Sequence, residues 1–366
     1  MKKRLRLIHT ESSCGWGGQE LRVLAESAGM AARGHDVLIA APAEAPIYRE
    51  ARSLGLATAA VPMVRKSVGG WRAMRDVLRR HAADLVITHS STDSWLTALA
   101  GVGLPNAAPL IRTRHVSAPI SSNLATRWLY GRASAHVVTT GEALRLQVIR
   151  EAGLAPGRVT SVPTGIDLER FSPGNAGEAR TRLNLSGERF IVGIVATLRS
   201  WKGHRYLVEA VAALKDPQLL LVIVGDGPGR ANLHAQVQAL GLQDQVVMPG
   251  NQKDVAGWMQ AFDVFVLPSY ANEGVPQALM QAMACALPVI STPVGAIGEI
   301  VEDGSTGLMV APRDVPALAS ALAQLRGDAA LRERLGQSGL RQARERFSLE
   351  RMLDAMEKVF QGALAA

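Results

Sequence analysis

The chain has 366 residues, 48% of them hydrophobic and 4% aromatic, enough for two ordinary domains that each bury a core. Its two cysteines, Cys14 and Cys285, lie in different halves and match no metal or redox spacing, which argues against a disulfide scaffold or a zinc site and suits a reducing, cytosolic compartment. The formal charge is +8, and no stretch approaches the roughly 18 uninterrupted apolar residues of a membrane-spanning helix.

The opening Met1-Lys2-Lys3-Arg4-Leu5-Arg6-Leu7-Ile8 has the charge of a signal-peptide start, but its apolar run stops at His9, Thr10 and Glu11. It reads as a basic lead-in to a first β-strand. Further short apolar runs follow, so that residues 5–9, 36–41, 85–88, 110–113 and 137–139 are expected as buried strands with helices between them. The first helix, 19–32, begins directly after Gly15-Trp16-Gly17-Gly18, the βαβ opening of a doubly wound domain. Arg65-Lys66 and the helical stretch 71–80 set Trp71, Met74, Val77 and Leu78 on one face and Arg72, Arg75 and Arg79 on another. Residues 1–170 carry 22 Lys and Arg against 13 Asp and Glu, so the whole positive excess is N-terminal. Such a half suits an anionic membrane surface or a phosphorylated acceptor. A solvated helix over its own sheet is the competing account of any one arginine. Nucleic acid ranks last, because no aromatics interleave with the basic residues to stack bases.

The Pro- and Gly-punctuated segment 162–174 separates this half from a second series of strands at 190–196, 219–224, 246–248, 264–267 and 288–291. The expected division is 1–170 and 171–348, with the last helix, 349–366, returning to the first domain through a stripe of Met352, Leu353, Met356, Val359 and Phe360. The fold class is α/β, two doubly wound Rossmann-like domains facing a central cleft where the carboxyl ends of both sheets meet.

Chemistry concentrates in two segments of the second series. After its first strand, Arg199-Ser200-Trp201-Lys202-Gly203 offers a planar fork of donors and a mobile point charge three residues apart, a pair suited to a diphosphate. A plain solvated loop remains the alternative. After a later strand, Pro268 to Ala284 runs through Glu273-Gly274-Val275-Pro276 into a helix. Amides near Gly274 and Val275 at a helix start would favour an anion or sugar oxygens, and the Glu273 carboxylate would accept bonds from hydroxyls. A helix cap is the alternative for Glu273.

These pieces resemble family-four glycosyltransferases, the retaining enzymes of GT-B fold that use nucleotide-diphosphate sugars. The matching segments run in family order: Gly17-Gly18, Thr113-Arg114-His115-Val116, Pro163 to Asp167 with Phe171-Ser172-Pro173, Arg199 to Gly203, Gly225-Asp226-Gly227-Pro228, Pro268 to Ala284, and Val294 to Gly307. The resemblance implies that Arg199 and Lys202 hold the diphosphate, Glu273 touches the donor sugar, Gly17 and Gly18 approach from the first domain, and His115 sits near the reacting carbon; a satisfied structural histidine is the alternative for His115. It also implies that Asn251, in the loop after the strand at 246–248, contacts the base, with an ordinary turn plus cap as the alternative. Two positions depart from the pattern. Gln281 stands where the family's second glutamate binds the ribose hydroxyls, and Pro276 stands where many members have glycine. The implied function is retaining transfer of a sugar, from a UDP- or GDP-sugar, to a glycan or glycolipid acceptor. No cofactor or metal is expected, since there is no Asp-x-Asp run. Cell-envelope polysaccharide or lipopolysaccharide synthesis, in the cytoplasm or on the inner face of its membrane, is the expected setting. A nucleotide-sugar-binding protein without activity and a nucleotide-sugar epimerase are the alternatives.

Overall fold

The computed structural model describes residues 3–121, 123–271 and 273–365. Met1 and Lys2 of the basic lead-in and Asn272 of the glutamate segment lie outside them. The chain divides into two compact units, one of residues 1–165 with 349–366 and the other of residues 166–348.

The first unit is built on a wholly parallel seven-stranded sheet: β1 (Arg6–Thr10), β2 (Asp36–Ala41), β3 (Ala57–Ala60), β4 (Leu85–Thr88), β5 (Leu110–Arg114), β6 (His136–Thr139) and β7 (Val159–Ser161), in the order β3-β2-β1-β4-β5-β6-β7. The second carries a parallel six-stranded sheet of β8 (Phe190–Val195), β9 (Leu219–Val224), β10 (Val246–Gly250), β11 (Val264–Leu267), β12 (Val289–Ser291) and β13 (Leu308–Met309), ordered β10-β9-β8-β11-β12-β13. Helices cover both faces of such sheets, so interior strands are apolar without alternation. The Leu-Leu-Leu-Val-Ile-Val run of β9 is buried at every position. In each sheet the chain first builds outward in one direction and then in the other. The reversal falls between β1 and β4 in the first unit and between β8 and β11 in the second. At such a point the connecting loops leave on opposite sides, and a crevice opens at the carboxyl ends of the two strands.

The last helix, Leu349–Ala365, belongs to the first unit. Met352, Leu353, Met356, Val359 and Phe360 join Leu7, Met30, Leu85 and Ile111 in one buried cluster. Arg33 fixes the helix from outside, pairing with Glu350, with Asp354 at 2.8 Å and with Glu357 at 3.3 Å. The boundary between units falls five residues before the expected 170/171. The Ile166 amide donates to the Phe347 carbonyl at 2.7 Å, and Ile166 and Phe171 bury their side chains in the second core, so residues 166–170 belong with the second unit.

Candidate active site

In the second unit, β8 leads into a loop that makes one tight turn at Ser200–Lys202 before the helix His204–Leu214. The turn places Lys202 against Glu273, which follows β11. Its ammonium donates to Oε1 at 2.7 Å and to Oε2 at 3.0 Å. Glu273 is 3% exposed. Its Oε1 also accepts from the Ser269 hydroxyl, and the Ser269 carbonyl accepts from the Thr292 hydroxyl after β12. Three strand-end loops are thus stitched together around one buried carboxylate. Pro276, not Glu273, holds the N-cap position of the helix Gln277–Ala284.

Arg199 contributes differently. It is exposed, lies over the Trp201 ring at 5.8 Å, and makes no ion pair among the described residues. Lys202 is already neutralised by Glu273, so Arg199 supplies the uncompensated charge of the turn. Gly274, Val275 and Pro276 lead from Glu273 into the helix that carries Gln281. The Gln281 amide is half-buried and has no hydrogen-bond partner among the described residues. Asn251 is exposed after β10, where its neighbour Gln252 ties the loop by donating to the Pro249 carbonyl at 2.9 Å and accepting from the Trp258 indole at 3.3 Å.

The first unit gathers a second polar cluster at its own reversal point. His9 is the penultimate residue of β1, His89 follows β4 and His115 follows β5. His9 Nδ1 lies 3.0 Å from His89 Nε2, and His89 Nδ1 lies 3.1 Å from His115 Nε2. Glu11 and Asp93 flank this row. Glu11 accepts from the Ser13 amide at 2.8 Å, the Gln19 amide at 2.6 Å and the Ser90 hydroxyl. Asp93 accepts from the backbone amides of His89 and Ser90 and from the Thr10 hydroxyl, each at 2.8 Å. Beneath them Arg22, fully buried, donates to the Val162 carbonyl at 2.7 Å and the Thr164 hydroxyl at 3.3 Å, with Glu26 at 3.6 Å. Gly17 caps the helix Gly18–Ala32, and its amide donates to the Glu20 carboxylate at 2.9 Å.

Both clusters thus stand where doubly wound sheets bind ligands. Residues 16–170 match the family model described as Glycosyltransferase Family 4, and residues 175–342 match that of Glycosyl transferases group 1. A D-inositol 3-phosphate glycosyltransferase of Thermomonospora curvata is 30% identical over 328 residues, covering 78% of this chain and 74% of that protein. The chain belongs to the family-four, group 1 glycosyltransferases. Matches to proteins of the same description from Saccharomonospora viridis, Catenulispora acidiphila and Actinosynnema mirum span 54%, 45% and 51% of their lengths, about half. A glycosyltransferase from Rickettsia africae superposes with a TM-score of 0.88 at 19% identity, covering 99% of both chains. Anabaena HepE in complex with UDP-glucose superposes at 0.85 with 21% identity, covering 98% of this chain and 100% of HepE. These likenesses show the fold, two Rossmann-like units of the GT-B plan.

In the first unit the basic helix extends over Val68–His81. Met74 and Val77 are buried and Trp71 and Leu78 pack beside them, as the stripe requires. Arg65, Lys66, Arg72 and Arg79 are exposed. Arg75 departs from the expected open face. Its guanidinium donates to the carbonyls of Ala100 at 2.7 Å and Val102 at 2.8 Å, and it lies 5.7 Å from the Trp71 ring, so it caps the neighbouring helix end. No helix among the described residues is long and apolar enough to cross a membrane.

His9, Glu11, His89 and Asp93 were not singled out from the sequence as site residues. Their one local signal is a run of polar residues at the end of an apolar strand, His9-Thr10-Glu11 and His89-Ser90. Burial, then the nearby Glu11 carboxyl, pushes Asp93 up to about 7, and burial raises Glu11 as well. The folded chain therefore keeps protons that the unfolded chain has released above the ordinary carboxylate range near 4. The pair's contribution to stability falls as pH rises from there toward 7. Glu11→Gln removes one of these groups and the like charge beside the other. Its stability relative to the parent should rise between pH 5 and 7.5 in urea melts. Parallel pH profiles for the two proteins would show that Glu11 and Asp93 are not coupled in this way.

Proposed function

We propose that the chain transfers a sugar, with retention at the anomeric carbon, from a nucleotide-diphosphate sugar to a phosphate-bearing glycan or glycolipid of the cell envelope. The observation that carries this reading is the pairing of Lys202 with Glu273 beside an exposed Arg199, which makes no ion pair among the described residues, at the reversal point of the second sheet.

In such a transfer the bond from the anomeric carbon to phosphate breaks and its electrons remain on the diphosphate. Charge grows on that group in the transition state, so fixed cations aimed at it lower the barrier. Arg199 presents a bidentate fork, and Lys202 a point charge held in place by Glu273. Those two charges meet the need without a divalent ion, and no cofactor beyond the donor is invoked. Glu273 then serves a second purpose as acceptor for sugar hydroxyls, Gly274 to Pro276 bring the helix start toward the donor, Gln281 faces the ribose and Asn251 the base. The acceptor oxygen attacks on the face the phosphate leaves, and its proton passes to a leaving phosphate oxygen.

UDP is the favoured nucleotide, supported by HepE, a protein of the same fold solved in complex with UDP-glucose. A phosphorylated acceptor is supported by the positive excess in residues 1–170 and by the inositol 3-phosphate in the relatives' description. The exposed Arg65, Lys66, Arg72 and Arg79 would face that acceptor or an anionic membrane leaflet on the cytoplasmic side. A thermal-shift series over UDP-, GDP- and ADP-sugars tests the donor site. A UDP-sugar should raise the melting temperature, and Arg199→Ala should weaken its binding by about 10- to 100-fold, the cost of a charge-assisted bidentate contact. Nucleoside diphosphate should then be released only when acceptor is present. A donor that binds but is epimerised without such release, or no nucleotide sugar that binds, overturns the reading.

A further inference from the structure

The three imidazoles of the first unit form a directional chain. His9 and His89 are buried, at 0% and 4% exposure, and His115 is half-buried at the outer end. The His9 and His89 rings are inclined by 11° and those of His89 and His115 by 36°, geometries in which each N···N contact runs edge to edge. Burial and the Arg22 charge hold all three below the ordinary imidazole range, so each ring is neutral at pH 7 and carries one N–H.

Three protons and two contacts leave only two uniform arrangements. Each contact needs one N–H and one bare nitrogen, so the third proton sits at one end of the chain, on His9 Nε2 or on His115 Nδ1. His9 Nε2 is buried and has no hydrogen-bond partner. A proton there would be a donor without an acceptor, in the field of the Arg22 guanidinium, which repels the positive end of an N–H and attracts a bare nitrogen. The proton is therefore driven to the other end. His89 Nδ1–H donates to His115 Nε2, and His115 Nδ1 carries the outermost hydrogen. Among the described residues that atom meets no partner.

We propose that His9 and His89 are positioning residues that lock His115 in its Nδ1–H tautomer, so that in sugar transfer His115 acts as a hydrogen-bond donor to an oxygen of the bound substrate and not as a general base. The role in transfer rests on the function proposed above; the tautomer does not. A base role would need a bare Nδ1, and reaching it through the chain would place the displaced proton on His9 Nε2, where nothing accepts it. The ladder blocks that path. An Nδ1–H fixed before substrate arrives is instead a preorganised donor, the form in which a hydrogen bond to a charge-bearing oxygen is most effective.

The full-length protein, labelled with 15N-histidine and free of ligand, gives the tautomer directly from long-range proton–nitrogen correlations at pH 7.5. The expected pattern is Nδ1–H on all three rings, and an Nε2–H on His115 overturns the proposal. Two replacements of His89 then separate positioning from mere packing. His89→Leu removes both contacts and should release His115 from the single Nδ1–H form. His89→Asn puts an amide nitrogen where Nδ1 stood and should retain it. Turnover should follow the tautomer, falling about tenfold in His89→Leu with donor KM unchanged, and recovering in His89→Asn. Equal turnover in the two variants also counts against the proposal. If either variant fails to fold, the spectrum of the parent protein decides. Absence of transfer with every donor would sink the proposed function and leave the tautomer standing, so the two failures are distinguishable.

Discussion

Replacing Lys202 with Met should slow sugar transfer by about 10²–10³ and destabilise the second unit at the same time. The ammonium holds both oxygens of a carboxylate that is 3% exposed, at 2.7 and 3.0 Å. Without it Glu273 retains its bond from Ser269 but loses the ammonium held against both of its oxygens. Breaking a buried ion pair by removing one partner costs about 3–5 kcal/mol, toward the lower end here because the Lys202 side chain keeps 19% of its surface in water. The effect on rate has a separate cause. Loss of one fixed group that stabilises charge in the transition state lowers kcat by about 10²–10³. Glu273→Gln added to Lys202→Met separates the two. The double variant should regain most of the stability, since a neutral amide needs no counter-ion, and none of the activity. Urea unfolding and a nucleoside diphosphate release assay read the two quantities independently. A double variant that recovers transfer would reduce Lys202 to a partner for Glu273 and remove it from the proposed diphosphate clamp.

This pairing also marks how far the sequence could be read. Arg199, Lys202 and Glu273 stand out individually because each follows a strongly apolar strand and precedes a helix start. That Lys202 and Glu273 touch across 71 residues depends on β8 and β11 being neighbours, and strand order is not written in local periodicity. The same reason hid the histidine ladder. His9, His89 and His115 are separated by 80 and 26 residues and meet only because β1, β4 and β5 lie side by side. Within the sheets, the central strands were legible to within a residue or so, β2, β4, β9 and β11 at both ends, because burial on two faces demands unbroken apolar runs. The strands without a recognisable signal, β3, β7 and β13, all lie at sheet edges. Ala57–Ala60 is half-exposed and has no large apolar residue, and Leu308–Met309 is two residues long. At an edge, pairing with one neighbour decides the conformation. Arg75 was misplaced for a related reason. Helical periodicity gives the side of the helix but not the carbonyls of Ala100 and Val102 waiting there.

The second large effect is expected from adding one methyl group at Gly203. This glycine sits between the turn that carries Lys202 and the helix that follows, with φ at +77°, a region that costs an L-residue about 1–2 kcal/mol. Space is the greater obstacle. A Cβ there would lie 2.0 Å from the Pro268 carbonyl oxygen and 2.8 Å from its carbon, and a backbone carbonyl has no rotamer by which to withdraw. Pro268 directly follows β11, at the head of the segment that carries Ser269 and Glu273. The loops on either side are joined by the Tyr270 amide, which donates to the Trp201 carbonyl at 2.8 Å. Gly203→Ala must therefore push the β8 and β11 loops apart, breaking that bond and drawing Lys202 from Glu273. A loss of about 3–4 kcal/mol in stability, with donor binding lost in the folded remainder, is the expected outcome. Gly153→Ala supplies the control. Gly153 ends the helix Glu142–Ala152 at φ +66°, and nothing lies within 4 Å of its Cβ position, so only the conformational cost of about 1–2 kcal/mol should appear. Urea unfolding of both variants isolates the steric contribution. Equal losses would mean that the two loops yield to the extra methyl group, and that the spacing of Lys202 from Glu273 does not depend on the glycine between them.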